Sequence, residues 1–202
     1  MKFTKKQKKV LSRVLLEIPS AIFSSPVVTL LTAVLIGRMV PYLSLTVSSL
    51  FFYVLLPIIT YAYLYKKGLI TDKRFDFNIR KREERPLYNI IVILGFLTNY
   101  VLIAMYNIPV VEEIALFLAF FVFALVTFFW KISGHMTQTV LGILIFAYVF
   151  PDSYLPILLI GYLVFVPLVG LSRIKLKHHD LWQVVAGTLV TTFLGLLLFT
   201  IT

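Results

Sequence analysis

The stretch SLTVSSLFFYVLLPIITYAYLY, residues 44–65, contains no charged side chain. A transmembrane helix needs about 20 predominantly apolar residues, and this stretch has that length. Its apolar residues run on without the strict alternation that is typical of a strand in a transmembrane barrel. Only helices and closed barrels satisfy the backbone hydrogen bonds in lipid. The stretch therefore predicts a helix that spans a bilayer.

Six other stretches of this kind occur, most of them about 17–25 residues long. They are Ser20–Gly37, Leu87–Tyr106, Ile114–Trp130, Met136–Phe150, Tyr154–Leu171 and Leu181–Ile201. The first contains Pro26, and Met136–Phe150 is short. Together they predict an all-α integral membrane protein, with residues 1–202 forming one domain. We expect a bundle of seven spans, or of six if the first stretch does not cross.

The composition supports this class. Hydrophobic residues make up 60% of the chain and charged residues only 14%, which excludes disordered chains and most soluble enzymes. The chain has no cysteine, so disulfides, thiolate catalysis and zinc–thiolate sites are excluded. We predict no cleavable signal peptide, because no small-residue cleavage site follows a compact apolar core near the N-terminus.

The basic residues indicate the orientation. The net charge is +10, but nucleic acid is not an expected partner for so apolar a chain. With seven spans, 18 of the 19 Lys and Arg residues fall on the N-terminal side, and Arg38 alone falls on the other. Positive loops stay in the cytoplasm, so residues 1–19 are predicted to be a basic cytoplasmic segment. Six spans would place the N-terminal cations on the opposite face, which favours seven.

All three histidines lie on this basic side. His135 is in the sequence KISGH, and His178 and His179 precede the last stretch. Arg85 and Arg173 lie in the same set of loops. Cations neutralise phosphoryl oxygens, a neutral imidazole can attack phosphorus, and a second histidine can transfer the proton. This combination predicts phosphoryl transfer that needs no metal and no cofactor.

These residues resemble the type 2 phosphatidic acid phosphatase superfamily of membrane lipid phosphatases. Its signatures are Lys-x6-Arg-Pro, Pro-Ser-Gly-His and Ser-Arg-x5-His-x3-Asp. The chain has Arg85-Pro86, Ser133-Gly134-His135, Ser172-Arg173 and His179 in the same order. The resemblance implies that bundle fold, with His179 as the nucleophile and His135 as the general acid and base.

The expected site contains further residues. Gln183 lies one helical turn after His179 and is expected to orient its imidazole. The residues expected to bind the phosphate are Arg85, Arg173, Lys81, Arg82, Lys131, Ser133 and Gly134.

Three positions differ from the signatures: Asn78 replaces the lysine, Ile132 the proline, and Gln183 the aspartate. Gln183 can accept the imidazole N–H, but it has no charge to stabilise an imidazolium. Lys81 or Arg82 is the expected substitute for the missing lysine.

Two functions remain open at this point. The first is hydrolysis of a lipid phosphate or an isoprenoid diphosphate, with the bilayer and a lipid substrate as partners. The second is a non-catalytic relative that binds phospholipid or partner proteins. A membrane prenyltransferase is not expected, because the chain lacks the Asp-rich motifs that bind magnesium diphosphate.

Overall fold

The computed structural model describes residues 11, 12, 14–18, 43–71, 79, 81–106 and 111–201. Within these ranges the chain is helical and contains no β-strand. The six long helices are α1 Leu43–Lys66, α2 Arg85–Ala104, α3 Val111–Phe129, α4 Gly134–Val149, α5 Pro151–Lys175 and α6 Leu181–Ile201. The prediction of an all-α chain is confirmed.

Six of the seven predicted stretches coincide with these helices, and their ends differ by at most four residues. The seventh, Ser20–Gly37, lies outside the described residues. Three helices, α1, α2 and α5, are long and apolar enough to cross a membrane. Over the described residues the other three have shorter apolar parts: Phe117–Phe129, Gly134–Val149 and Leu181–Leu197.

The outer surface of the bundle is strongly apolar. Phe129, Leu163 and Phe193 are 80%, 72% and 68% exposed. Apolar side chains exposed this widely over a whole bundle are unusual for a monomer in water. Lipid tails would cover them without a free-energy penalty, which agrees with the membrane-length helices.

Helix α4 is central, because twelve of its 16 residues are buried. It packs against α3, α5 and α6. Since α4 begins at Gly134, this packing places the start of the helix, with His135, inside the basic end of the bundle.

A polar contact joins α1 to α2 in the apolar interior. The Asn99 amide donates to the Ser49 hydroxyl at 3.1 Å, and the Ser48 hydroxyl donates to the Asn99 carbonyl oxygen at 2.7 Å. Asn99 is fully buried. Because an unpaired amide is unfavourable there, these bonds favour one axial position of α1 against α2.

The connection from α1 to α2 is anchored at its two ends. Ile70 and Ile79 are buried against Tyr61 and Leu64 of α1. Arg85, the first residue of α2, donates from Nε to the Ile79 carbonyl at 2.7 Å. These contacts fix the beginning of α2 and direct Arg85 into the bundle.

Candidate active site

The turn before α4 is held by α6. The Ser133 N–H donates to the Gln183 carbonyl at 3.1 Å, and the Ser133 carbonyl accepts the first hydrogen bond of α4 from the Thr137 N–H. The backbone of α6 comes close at Gly187, where a Cβ atom would lie 2.8 Å from the Ser133 oxygen. Only glycine permits this approach, so Gly187 sets the distance between the two helices.

Ser133 occupies the N-cap of α4 without capping it. An N-cap serine normally accepts a hydrogen bond from the backbone one turn later. Here the hydroxyl makes no capping bond, is fully buried, and has no hydrogen-bond partner among the described residues. The hydroxyl therefore keeps its hydrogen-bonding capacity unused among these residues, at a helix start where the dipole favours an anion.

The turn after α5 brings His179 inward. Lys177 adopts a left-handed conformation with φ of 58°. The N–H groups of His178 and His179 then donate back to the Arg173 carbonyl, at 3.0 and 3.4 Å. This closes the end of α5, and His179 is left only 7% exposed.

Gln183 orients the His179 ring. Its Oε1 lies 3.0 Å from His179 Nδ1, the contact expected from the i, i+4 spacing. An amide oxygen only accepts, so this contact requires the proton on Nδ1. The unprotonated Nε2 then carries the lone pair of the ring.

Asp180 and Gln183 also form a capping box at the start of α6. The Asp180 carboxylate accepts the Gln183 N–H at 2.9 Å, and the Gln183 Oε1 accepts the Asp180 N–H at 3.4 Å. The same amide oxygen therefore accepts hydrogen bonds both from the backbone at the start of α6 and from the His179 ring. Sequence reasoning missed this role of Asp180, although Asp-x-x-Gln before an apolar run is its signal.

Burial and nearby cations hold His179 neutral. Burial lowers the pKa of its imidazole to about 3, the Lys131 and Arg173 charges act in the same direction, and the Gln183 hydrogen bond opposes them. A neutral ring at pH 7 has the lone pair that a nucleophile needs.

Two further predicted site residues, His135 and Arg173, belong to the same electrostatic environment as this histidine. His135 and Arg173 are buried, at 8% and 3% exposure. Arg173, His178 and His179 all act electrostatically on His135. The structure thus brings the two histidines of the predicted catalytic pair into one electrostatic cluster with Arg173.

Lys131 joins this cluster to a cavity. Its Nζ donates to the His178 carbonyl at 3.0 Å. It also lines a cavity of about 90 Å³ together with Arg85, Gly134 and His135. The cavity continues between α2, α3 and α4 past apolar side chains such as Phe96.

The cavity has an unexpected boundary. Neither His179 nor Arg173 is among the described residues that line it. His135 lines the cavity and also interacts electrostatically with His179 and Arg173. Polar residues inside the apolar stretches, Asn89 and Gln138, also line it. Their occurrence in otherwise apolar segments is a signal that sequence reasoning did not use.

Lys81 is engaged elsewhere. Its side chain is 56% exposed, and its Nζ lies 3.3 Å from Glu84 Oε1. Glu84 in turn accepts from the Thr71 N–H and hydroxyl, so Lys81 belongs to the surface of the basic loop. The structure does not bring Lys81 to the cavity. The side chain of Arg82 and the whole of Asn78 lie outside the described residues.

Over the described part of the chain, no three His, Asp or Glu residues are grouped so that they could hold a metal ion. Comparisons of the chain with family models, with curated proteins and with solved structures find no match. The site must therefore be interpreted from its own residues.

Proposed function

We propose that the chain is a multi-pass membrane phosphatase that hydrolyses a lipid phosphate or an isoprenoid diphosphate through a phosphohistidine. The observation that carries the proposal is the buried His179 imidazole, whose Nδ1 is held by Gln183 and which interacts electrostatically with buried His135 and Arg173. The motif order described above, which resembles the type 2 phosphatidic acid phosphatases, adds support.

In the first step, His179 Nε2 attacks phosphorus, and the bond from phosphorus to the leaving oxygen breaks. Protonated His135 gives its proton to that oxygen, so a monoester releases its alcohol and a diphosphate releases the prenyl monophosphate, each protonated at that oxygen. Arg173 and Arg85 balance the charge on the phosphoryl oxygens. The Ser133 hydroxyl, which has no hydrogen-bond partner among the described residues, would donate to one of these oxygens.

In the second step, water attacks the phosphohistidine. His135 takes a proton from the water, the bond from phosphorus to His179 breaks, and inorganic phosphate leaves. Both histidines are ready for another cycle once phosphate has left. The anionic substrate, once bound beside His135, favours the protonated form of the acid by charge attraction.

The membrane arrangement is part of the proposal. Lys66, Lys67, Lys175 and Lys177 are exposed at the ends of α1 and α5 that lie nearest the site. Under the positive-inside rule this end faces the cytoplasm. A lipid headgroup would then meet the cluster at the interface while its chain stays in the bilayer.

The test is phosphate release in detergent, with chelator present, from a prenyl diphosphate and a phosphatidate assayed in parallel. His179→Ala should abolish release. His178→Ala is the matched control, because its backbone carbonyl can still accept from Lys131, and it should keep most activity. No release by the unchanged protein from either substrate would contradict the proposal.

A non-catalytic phospholipid-binding protein is the second candidate. One observation favours it: Gln183 is neutral and already has a structural role in the capping box. This candidate predicts that His179→Ala and His135→Ala retain most of the affinity for the lipid phosphate.

A further inference from the structure

A helical segment precedes the six long helices. Residues 11, 12 and 14–18 are helical. Four large apolar side chains in it are 45–57% exposed: Leu11, Val14, Leu15 and Ile18. Their spacing of i, i+3, i+4 and i+7 places them on one face of a helix. We call these four residues the apolar stripe. Ser12 and Glu17 lie away from it.

The segment is attached to the end of the bundle that carries the site. The Ser172 hydroxyl of α5 donates to the Leu16 carbonyl. The Leu16 side chain is half-buried, whereas its neighbour Leu15 is exposed. The apolar stripe is thus left uncovered although the segment is attached.

The attachment lies about one hydrocarbon thickness along α5 from the first residue of that helix. Ser172 is 21 residues after Pro151, the first residue of α5. At about 1.5 Å per residue this is roughly 30 Å, the thickness of the hydrocarbon layer. Trp182 at the same end is 70% exposed, and exposed tryptophans are typical of membrane interfaces.

The surroundings of the apolar stripe are basic. Lys175 and Lys177 are exposed within two turns of Ser172. In the sequence, Lys5, Lys6, Lys8, Lys9 and Arg13 precede or interrupt the segment. Apolar residues on one helix face beside many cations are typical of helices that lie on anionic membranes.

We infer that Leu11, Ser12 and residues 14–18 lie in the headgroup layer of an anionic lipid surface. The apolar stripe inserts into the acyl boundary, and the exposed Lys175 and Lys177 face the lipid anions. The occupant is the membrane that surrounds the bundle. This surface is separate from the phosphatase proposal, because it needs neither the histidines nor turnover.

The absence of cysteine makes a direct test possible. Leu15→Cys and Glu17→Cys are a matched pair, because both side chains are exposed and they lie about 160° apart on the helix. Each variant of the full chain carries a nitroxide and is reconstituted into vesicles of phosphatidylglycerol and phosphatidylcholine. Frequent collisions of the nitroxide with oxygen show that the label lies in lipid. Frequent collisions with a water-soluble nickel chelate show that it lies in water.

We expect the ratio of oxygen to nickel collisions to be several times higher at position 15 than at position 17. Replacing the four lysines at positions 5, 6, 8 and 9 by glutamine should reduce the ratio at position 15, as should vesicles of phosphatidylcholine alone. Equal ratios at the two positions in anionic vesicles would overturn the inference. So would a label at position 15 that collides with neither reagent, because protein would then cover the stripe.

Discussion

The Oε1 atom of Gln183 lies 3.0 Å from Nδ1 of His179, and it also accepts the N–H of Asp180. A neutral amide thus holds the ring in the orientation that a carboxylate would give it, but it contributes no charge. The first turn of α6 is fixed by the Asp180 cap. Gln183 therefore supplies the geometry of a carboxylate acceptor without its electrostatic stabilisation of an imidazolium.

Gln183→Ala should lower turnover about tenfold, because it removes one hydrogen bond worth roughly 1.4 kcal/mol in the transition state. Gln183→Glu keeps the acceptor and adds charge, so it should retain or raise turnover. Steady-state phosphate release measures both. Equal activity in the unchanged protein and Gln183→Ala would show that Gln183 does not orient His179.

Asp180→Ala should lower the free energy of unfolding by about 1 kcal/mol, because it removes the N-cap of α6. Asp180→Asn keeps a capping oxygen and should recover most of that loss. Thermal unfolding in detergent provides the measurement. A loss of the same size in Asp180→Asn would argue against the capping role.

His179 should make the protein less stable in acid. The pKa of its imidazole is about 3 in the folded state, against about 6.5 for an unperturbed histidine. The unfolded chain therefore binds more protons between these values, so stability is complete above pH 6.5 and is lost as the pH falls towards 3. Histidine NMR across this range should show the His179 ring still neutral at pH 5.

Lys131→Met removes a charge that lowers the pKa of His179, so the NMR titration of that ring should move to higher pH. Lys177→Met is the control, because it removes an exposed cation from the turn that leads to His179. A titration that moves equally in both variants would assign the effect to overall charge.

Gly187→Ala should separate α4 from α6 at the site. Its Cβ would meet the Ser133 carbonyl oxygen, a backbone atom that cannot rotate away, so we expect a loss of about 1–3 kcal/mol. Gly170→Ala is the control, because its nearest atoms belong to the side chains of Val184 and Met136. Thermal unfolding compares them, and equal losses would contradict the special role of Gly187.

Seven spans with a cytoplasmic N-terminus place the C-terminus outside. A reporter fused after Thr202 should therefore be active only on the non-cytoplasmic side. Activity in the cytoplasm would exclude this topology without bearing on the chemistry of the site.

The sequence alone determined the helices. Hydropathy is a local property, so a stretch such as residues 44–65 predicts a helix whatever the other helices of the bundle are. The ends of α1 to α6 agree with these predictions to within four residues. The i, i+4 contact of His179 with Gln183 was also predictable, because one helical turn sets it.

Only the tertiary structure decided which cations and histidines meet. Lys81 and Lys131 look equivalent in sequence, yet one pairs with Glu84 and the other bonds the His178 carbonyl. The close approach of Gly187 to Ser133 brings α6 to the start of α4, across more than 50 residues of chain. Which of these residues meet depends on how whole helices pack. Packing brings together residues that are far apart in the chain, and no local sequence pattern predicts such contacts.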